Sequence, residues 1–155
     1  MKTGLKRALA GVMAGVIALT LVACGGKKKA AEFDAESTPT ALMASGAFSE
    51  ELEQLEEVIL LRLYEMDESK VTASAGFAST GLTAEEVAVF EMTDEAAAEE
   101  AEALLRAHLE YQKESNVDYR PDEMPKLEDA VVERRGKTLL FLVAADYEAA
   151  TTALG

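Results

Sequence analysis

The run KTLLFLVAA, residues 137–145, sets the first condition on any fold this chain can take. Leu139 to Val143 are apolar at every position, so a strand there is apolar on both faces and belongs in the centre of a sheet. Arg135-Gly136 before it turns the chain, and DAVVER at 129–134 supplies the preceding strand. Upstream, KVTASAGFAST (70–80) alternates, with Val71, Ala73, Ala75 and Phe77 pointing one way. Gly81 allows a turn, and AEEVAVFEMT (84–93) gives a second strand through Val87 to Met92.

Helical patterns separate these strands. FSEELEQLEEVILLRLYEM (48–66) carries Leu52, Leu55, Ile59, Leu63 and Met66 at spacings of three and four, one apolar stripe. Thr93 or Asp94 caps a long helix over about 94–115, whose face holds Ala97, Ala101, Leu104, Leu105, His108 and Gln112. NVDYRPDEMPK (116–126) reads as a loop, punctuated by Pro121 and Pro125, and Asp146 caps a last helix at 147–154. Two stretches, 88–104 and 139–154, both run strand, Asp, Ala-rich helix, a weak internal echo. The order is αββαββα. The expected fold class is α+β, a four-stranded, largely antiparallel sheet with helices packed on it.

The N-terminus follows a different logic. Lys2, Lys6 and Arg7 precede 16 residues without charge, Ala8 to Ala23. That is short for a membrane-spanning helix, which needs about 20 residues, and suits the apolar region of a signal peptide. The run ends L-V-A-C at residues 21–24 and holds the only cysteine, so no internal disulfide can form. This ending resembles the lipobox of bacterial lipoproteins. The resemblance implies that signal peptidase II cuts before Cys24, that the Cys24 thiol carries a diacylglyceryl lipid, and that residues 1–23 are removed. An uncleaved anchor and an ordinary secretory cut are the alternatives.

Residues 24–47 then read as a lipidated cysteine and a flexible tether, small and polar with Pro39. About 20 such residues span roughly 25 Å, enough for the domain to swing free. Lys27, Lys28 and Lys29 either touch anionic headgroups or serve as a solubilising spacer. Residues 48–155 form the compact domain, with 9 basic and 26 acidic side chains and a net charge of −17. Such a surface has no basic face for a nucleic acid, and an anionic membrane or wall polymer would repel it.

Several segments carry a second resemblance: Ala84-Glu85-Glu86-Val87-Ala88-Val89-Phe90, Arg106, Tyr119-Arg120-Pro121 and the Gly136 turn before an apolar strand. Over about residues 50–153 the chain resembles a family of small lipoproteins from clostridia-like Gram-positive bacteria, catalogued as a domain of unknown function. The resemblance implies a location and a fold. It carries over no site beyond Cys24.

Catalytic signatures are sparse. The lipobox resemblance commits Cys24 to lipid. The one histidine, His108, sits at the edge of an apolar helix face, either as a base or ligand or as a boundary residue bonded to a carboxylate or backbone. No phosphate-cradling glycine loop, nucleophile elbow or Cys/His metal spacing occurs, so no metal or cofactor is expected. Glu99, Glu100 and Glu102, with Glu85 and Glu86, read as a solvated acidic face. Arg106, Lys113, Tyr119 and Arg120 form a candidate basic binding patch for a carboxylate, against the plainer alternative that Arg106 pairs with Glu102 or Glu110. The expectation is a non-enzymatic, lipid-anchored domain on the extracytoplasmic face of the cell membrane, binding an envelope protein or component. A lipoprotein capturing a small molecule or peptide for a transporter is second. An enzyme using carboxylates alone is third.

Overall fold

The computed structural model describes residues 30–155. The signal segment 1–23, Cys24 and Lys27 to Lys29 lie outside the described residues.

The α+β class holds, with five strands in place of the expected four. In chain order the elements are α1 (Ser37–Ala44), β1 (Glu53–Gln54), α2 (Glu57–Leu63), β2 (Val71–Ala78), β3 (Glu86–Met92), α3 (Glu95–Asn116), α4 (Met124–Glu128), β4 (Val131–Arg135), β5 (Thr138–Val143) and α5 (Tyr147–Leu154). The sheet runs β1-β2-β3-β5-β4 with every neighbouring pair antiparallel. β5 lies between β3 and β4, and all six of its residues are buried, as its unbroken apolar run requires. Gly136 and Lys137 close the β4–β5 hairpin. With φ +58° at Gly136 alone, the turn has the form that needs glycine at its first central position.

Helices cover both faces of the sheet. On one face Phe90, Met92, Leu139 and Phe141 pack against Leu60, Leu61 and Tyr64 of the α2 region, Ala98, Ala101 and Leu105 of α3, and Leu127 of α4. On the other, Val87, Val89, Leu140 and Leu142 pack against Phe33, Leu42 of α1 and Ala150 of α5. The two Asp-capped helices behave alike at their starts. Asp94 accepts from the Ala97 N–H at 2.8 Å and Asp146 from the Ala149 N–H at 2.9 Å. They cover opposite faces of the sheet.

Three expectations are corrected. First, the segment read as tether is structured from residue 31. Residues 31–36 form a strap across the sheet, and α1 follows with Leu42 fully buried. The Phe33 N–H donates to Thr138 Oγ1 at 2.8 Å, the Ala35 N–H to Glu91 Oε1 at 2.9 Å, and the Lys137 N–H to Glu32 Oε1 at 3.0 Å. Phe33 itself is buried, with the Arg135 guanidinium 4.2 Å from its ring centre. A few apolar residues among small polar ones suffice here because the sheet presents a ready apolar surface.

Second, the 48–66 helix is cut to Glu57–Leu63. Glu53 and Gln54 join the sheet instead, and the Leu55 N–H donates to the Gly76 carbonyl at 2.9 Å. Leu52 and Met66 of the expected stripe are buried, but Ile59 and Leu63 are 50% and 40% exposed, and Leu60, Leu61 and Tyr64 are buried in their place. ILLRLY is apolar nearly all round, so periodicity cannot fix which side faces inward. Third, a bulge between Val71 and Ala73 shifts the register of β2. Val71 joins the α2–α3 side, while Ala73 and Phe77 join the other. The expected loop at 116–126 also holds a 3₁₀ turn at Pro121–Glu123 and the start of α4.

Candidate functional site

Two adjacent glutamates stand where β3 begins, Glu85 just before it and Glu86 as its first residue, and both are buried rather than solvated. Successive side chains of an extended chain point to opposite faces, so Glu85 and Glu86 need separate sets of partners. Glu85 accepts from the Ser49 N–H at 2.8 Å, from the Ser49 hydroxyl and from Lys126 Nζ at 2.7 Å. Lys126 also donates to Glu123, whose Oε2 accepts from the Ala84 N–H at 2.8 Å. Partial burial disfavours the Lys126 ammonium, but the hydrogen bonds to Glu85 and Glu123 outweigh it and raise its pKa. Every polar atom of this set is matched, and it pins α4 to the start of β3.

Glu86 faces α2 and α3. Its Oε2 accepts from the Tyr64 hydroxyl at 2.9 Å, and its Oε1 accepts from Gln112 Nε2 at 3.2 Å and lies 3.0 Å from His108 Nε2. The sequence builds this locally: His108 and Gln112 are four apart on α3 and so share a side, and Tyr64 closes the end of α2. Burial, and then the charge of Glu86, push the Tyr64 hydroxyl well above the ordinary phenol range, so it stays protonated and donates. The Tyr64 and His108 rings are 4.5 Å apart, with Phe141 5.3 Å from the imidazole.

A carboxylate accepts, so the ring nitrogen facing it carries hydrogen. That assigns Nε2–H to His108, and Nδ1 makes no hydrogen bond to another described residue; as no buried side-chain nitrogen or oxygen among those residues lacks a partner, Nδ1 is open to solvent. The His108 side chain is 8% exposed, and that exposure opens onto a cleft of about 310 Å³ between α2 and α3. Of the residues that line the cleft, Tyr64 is buried and His108, Gln112 and Leu104 are partly buried, which puts them at its base, whereas Leu63, Glu65, Ala107 and Tyr111 are exposed at its walls and rim. The Tyr111 ring is 67% exposed. No Ser, Thr or Cys lines the cleft for His108 to activate. Among the described residues no cluster of three or more His, Cys, Asp or Glu could hold a metal ion. What the arrangement offers is an apolar slot with one oriented hydrogen-bonding nitrogen at its base.

Glu65 ends α2 at φ +55°, the one non-glycine residue with positive φ among those described. The Met66 N–H returns to the Leu61 carbonyl at 2.8 Å and the Glu65 N–H to that of Arg62 at 3.2 Å, a helix end that normally takes glycine. Glu65→Gly is expected to stabilise the fold by about 1 kcal/mol, a rise of a few degrees in a thermal melt. A fall in Tm would show that the glutamate side chain supports the fold.

The basic residues singled out in the sequence do not converge. Arg106 donates to Glu102 at 2.7 Å, and Arg134 reaches the same carboxylate at 3.0 Å. The hydrogen bonds from both arginines lower the Glu102 pKa. Lys113 pairs with Glu110 at 3.0 Å, and Arg120 donates to Asn116 Oδ1 at 2.8 Å and to the Gly81 carbonyl at 3.1 Å. Tyr119 is 82% exposed, and no hydrogen bond or ion pair joins the four residues to one another. His108 is bonded to a carboxylate, one of its two sequence readings, but the partner is 22 residues away on another element. No sequence signal joins it to Glu86 and Tyr64.

A family model described as a domain of unknown function (DUF4358) matches residues 44–144. The match takes in the whole sheet and the cleft, and leaves the strap, most of α1 and α5 outside it. No curated protein and no solved structure matches the chain.

Proposed function

With the chain a member of the DUF4358 family, whose description names no activity, we propose that it is a non-enzymatic, lipid-anchored binding domain acting on the extracytoplasmic face of the cell membrane. The observation that carries the binding reading is a nearly buried histidine, held through Nε2 by Glu86 and with Nδ1 bonded to no other described residue, in an apolar cleft that no Ser, Thr or Cys lines. The anchoring reading rests on the 16 uncharged residues and the L-V-A-C ending at Cys24. Among the described residues no helix is long and apolar enough to cross a membrane.

One experiment tests both parts. Cells fed labelled palmitate are expected to label the wild-type chain and not Cys24→Ala. The purified full chain is then melted against small metabolites, peptides and wall fragments. A ligand at about 100 times its Kd should add about 2.7 kcal/mol, several degrees in Tm. Ala107→Trp, an exposed cleft-wall position, should fill the slot and erase that gain. Label on Cys24→Ala would refute the anchor. A gain that survives Ala107→Trp would refute the cleft as the binding site.

A further inference from the structure

We infer that the cleft takes a small amphipathic cation, an ammonium group carried on an apolar body. This rests on the cleft being a binding site. The Glu65 carboxylate at its rim has no hydrogen bond or ion pair among the described residues, and it is held by a residue whose backbone conformation favours glycine. A strained position that keeps a charged side chain at the mouth of a cleft points to use of that charge. The exposed Tyr111 ring beside it offers a π face to a cation. At the base, with Nε2–H committed to Glu86, Nδ1 is the ring position left to meet a ligand. Leu63, Leu104 and Ala107 receive the apolar body.

Charge excludes the opposite ligand. No Lys or Arg lines the cleft, and the buried Glu86 carboxylate stands behind His108. Residues 48–155 carry a net −17, which raises the local concentration of cations at any concave site. An anionic ligand would meet Glu65 at the rim, the field of Glu86 at the base and no compensating cation.

The test uses the full chain in detergent and three probes of one shape: phenylbutylammonium, phenylbutanol and phenylbutyrate. Calorimetric titration should give the ammonium about tenfold tighter binding than the alcohol, the sum of one partly exposed ion pair and one cation–π contact, with the carboxylate weakest. Glu65→Gln should weaken the ammonium about fivefold and leave the alcohol unchanged. Glu65→Gly should show the same loss while its melting temperature rises, which separates recognition from stability. Equal binding of ammonium and alcohol, or indifference to Glu65→Gln, would overturn the cation assignment and leave the cleft a binding site. Failure of all three probes to bind the wild-type chain, or binding that survives Ala107→Trp, would overturn both.

Discussion

Glu86→Ala is expected to lower the melting temperature by on the order of 15 °C, an effect of about 3–5 kcal/mol. The size follows from what the carboxylate leaves behind. Tyr64 is 1% exposed, and its hydroxyl has Glu86 as its acceptor. His108 Nε2 and Gln112 Nε2 both turn to the other carboxylate oxygen, Oε1. Removing the acceptor strands three donors in a site walled by Phe90 and Phe141, and each buried unmatched donor costs about 1–3 kcal/mol. Glu86→Gln keeps one acceptor oxygen and should fall between wild type and alanine. Thermal melts of the three proteins decide it. A drop below about 3 °C for Glu86→Ala would mean that water or a rotated side chain satisfies Tyr64.

Phe33→Ala is expected to cost about 3 kcal/mol, roughly 10 °C. Phe33 is 4% exposed beneath Arg135, on the sheet face that also holds Val87, Leu140 and Leu42. Its removal opens a cavity and frees the strap, whose remaining ties are three backbone N–H bonds and the Arg135 Nη1 contact to the Ala31 carbonyl at 3.3 Å. A residue in a swinging tether would give no change in the same melt. The comparison therefore separates the packed strap from the tether that the composition of 25–47 suggests.

Elements that carry their own punctuation were legible in the sequence. α3 and α5 announce themselves by an aspartate before an alanine-rich run, β3 and β5 by apolar runs, and the hairpin by Gly136. What escaped depends on neighbours distant in sequence. The strap needs a sheet face that is complete only at residue 143. The α2 phase is set by where Tyr64 meets Glu86. The β2 bulge flips Val71 without leaving any mark in its alternation. The candidate site was illegible for the same reason. Acidic residues on a very acidic chain read as solvent-facing, and burial of Glu85 and Glu86 follows only from partners 36 and 41 residues away in one case and 22 and 26 in the other.

The strap also gives the molecule a top and a bottom. From Cys24 to Ala31 is seven residues, at full extension about 25 Å, so a chain held at Cys24 cannot carry its domain farther than that from the bilayer. The strap joins the fold at Thr138 and Glu91, which pair with each other at one end of β3 and β5, whereas Glu86 pairs with Val143 at the opposite end. Five residues of strand separate the two ends, roughly 17 Å. An anchored copy is therefore moored by the end that holds the Gly136 hairpin, with the His108 slot at the far pole.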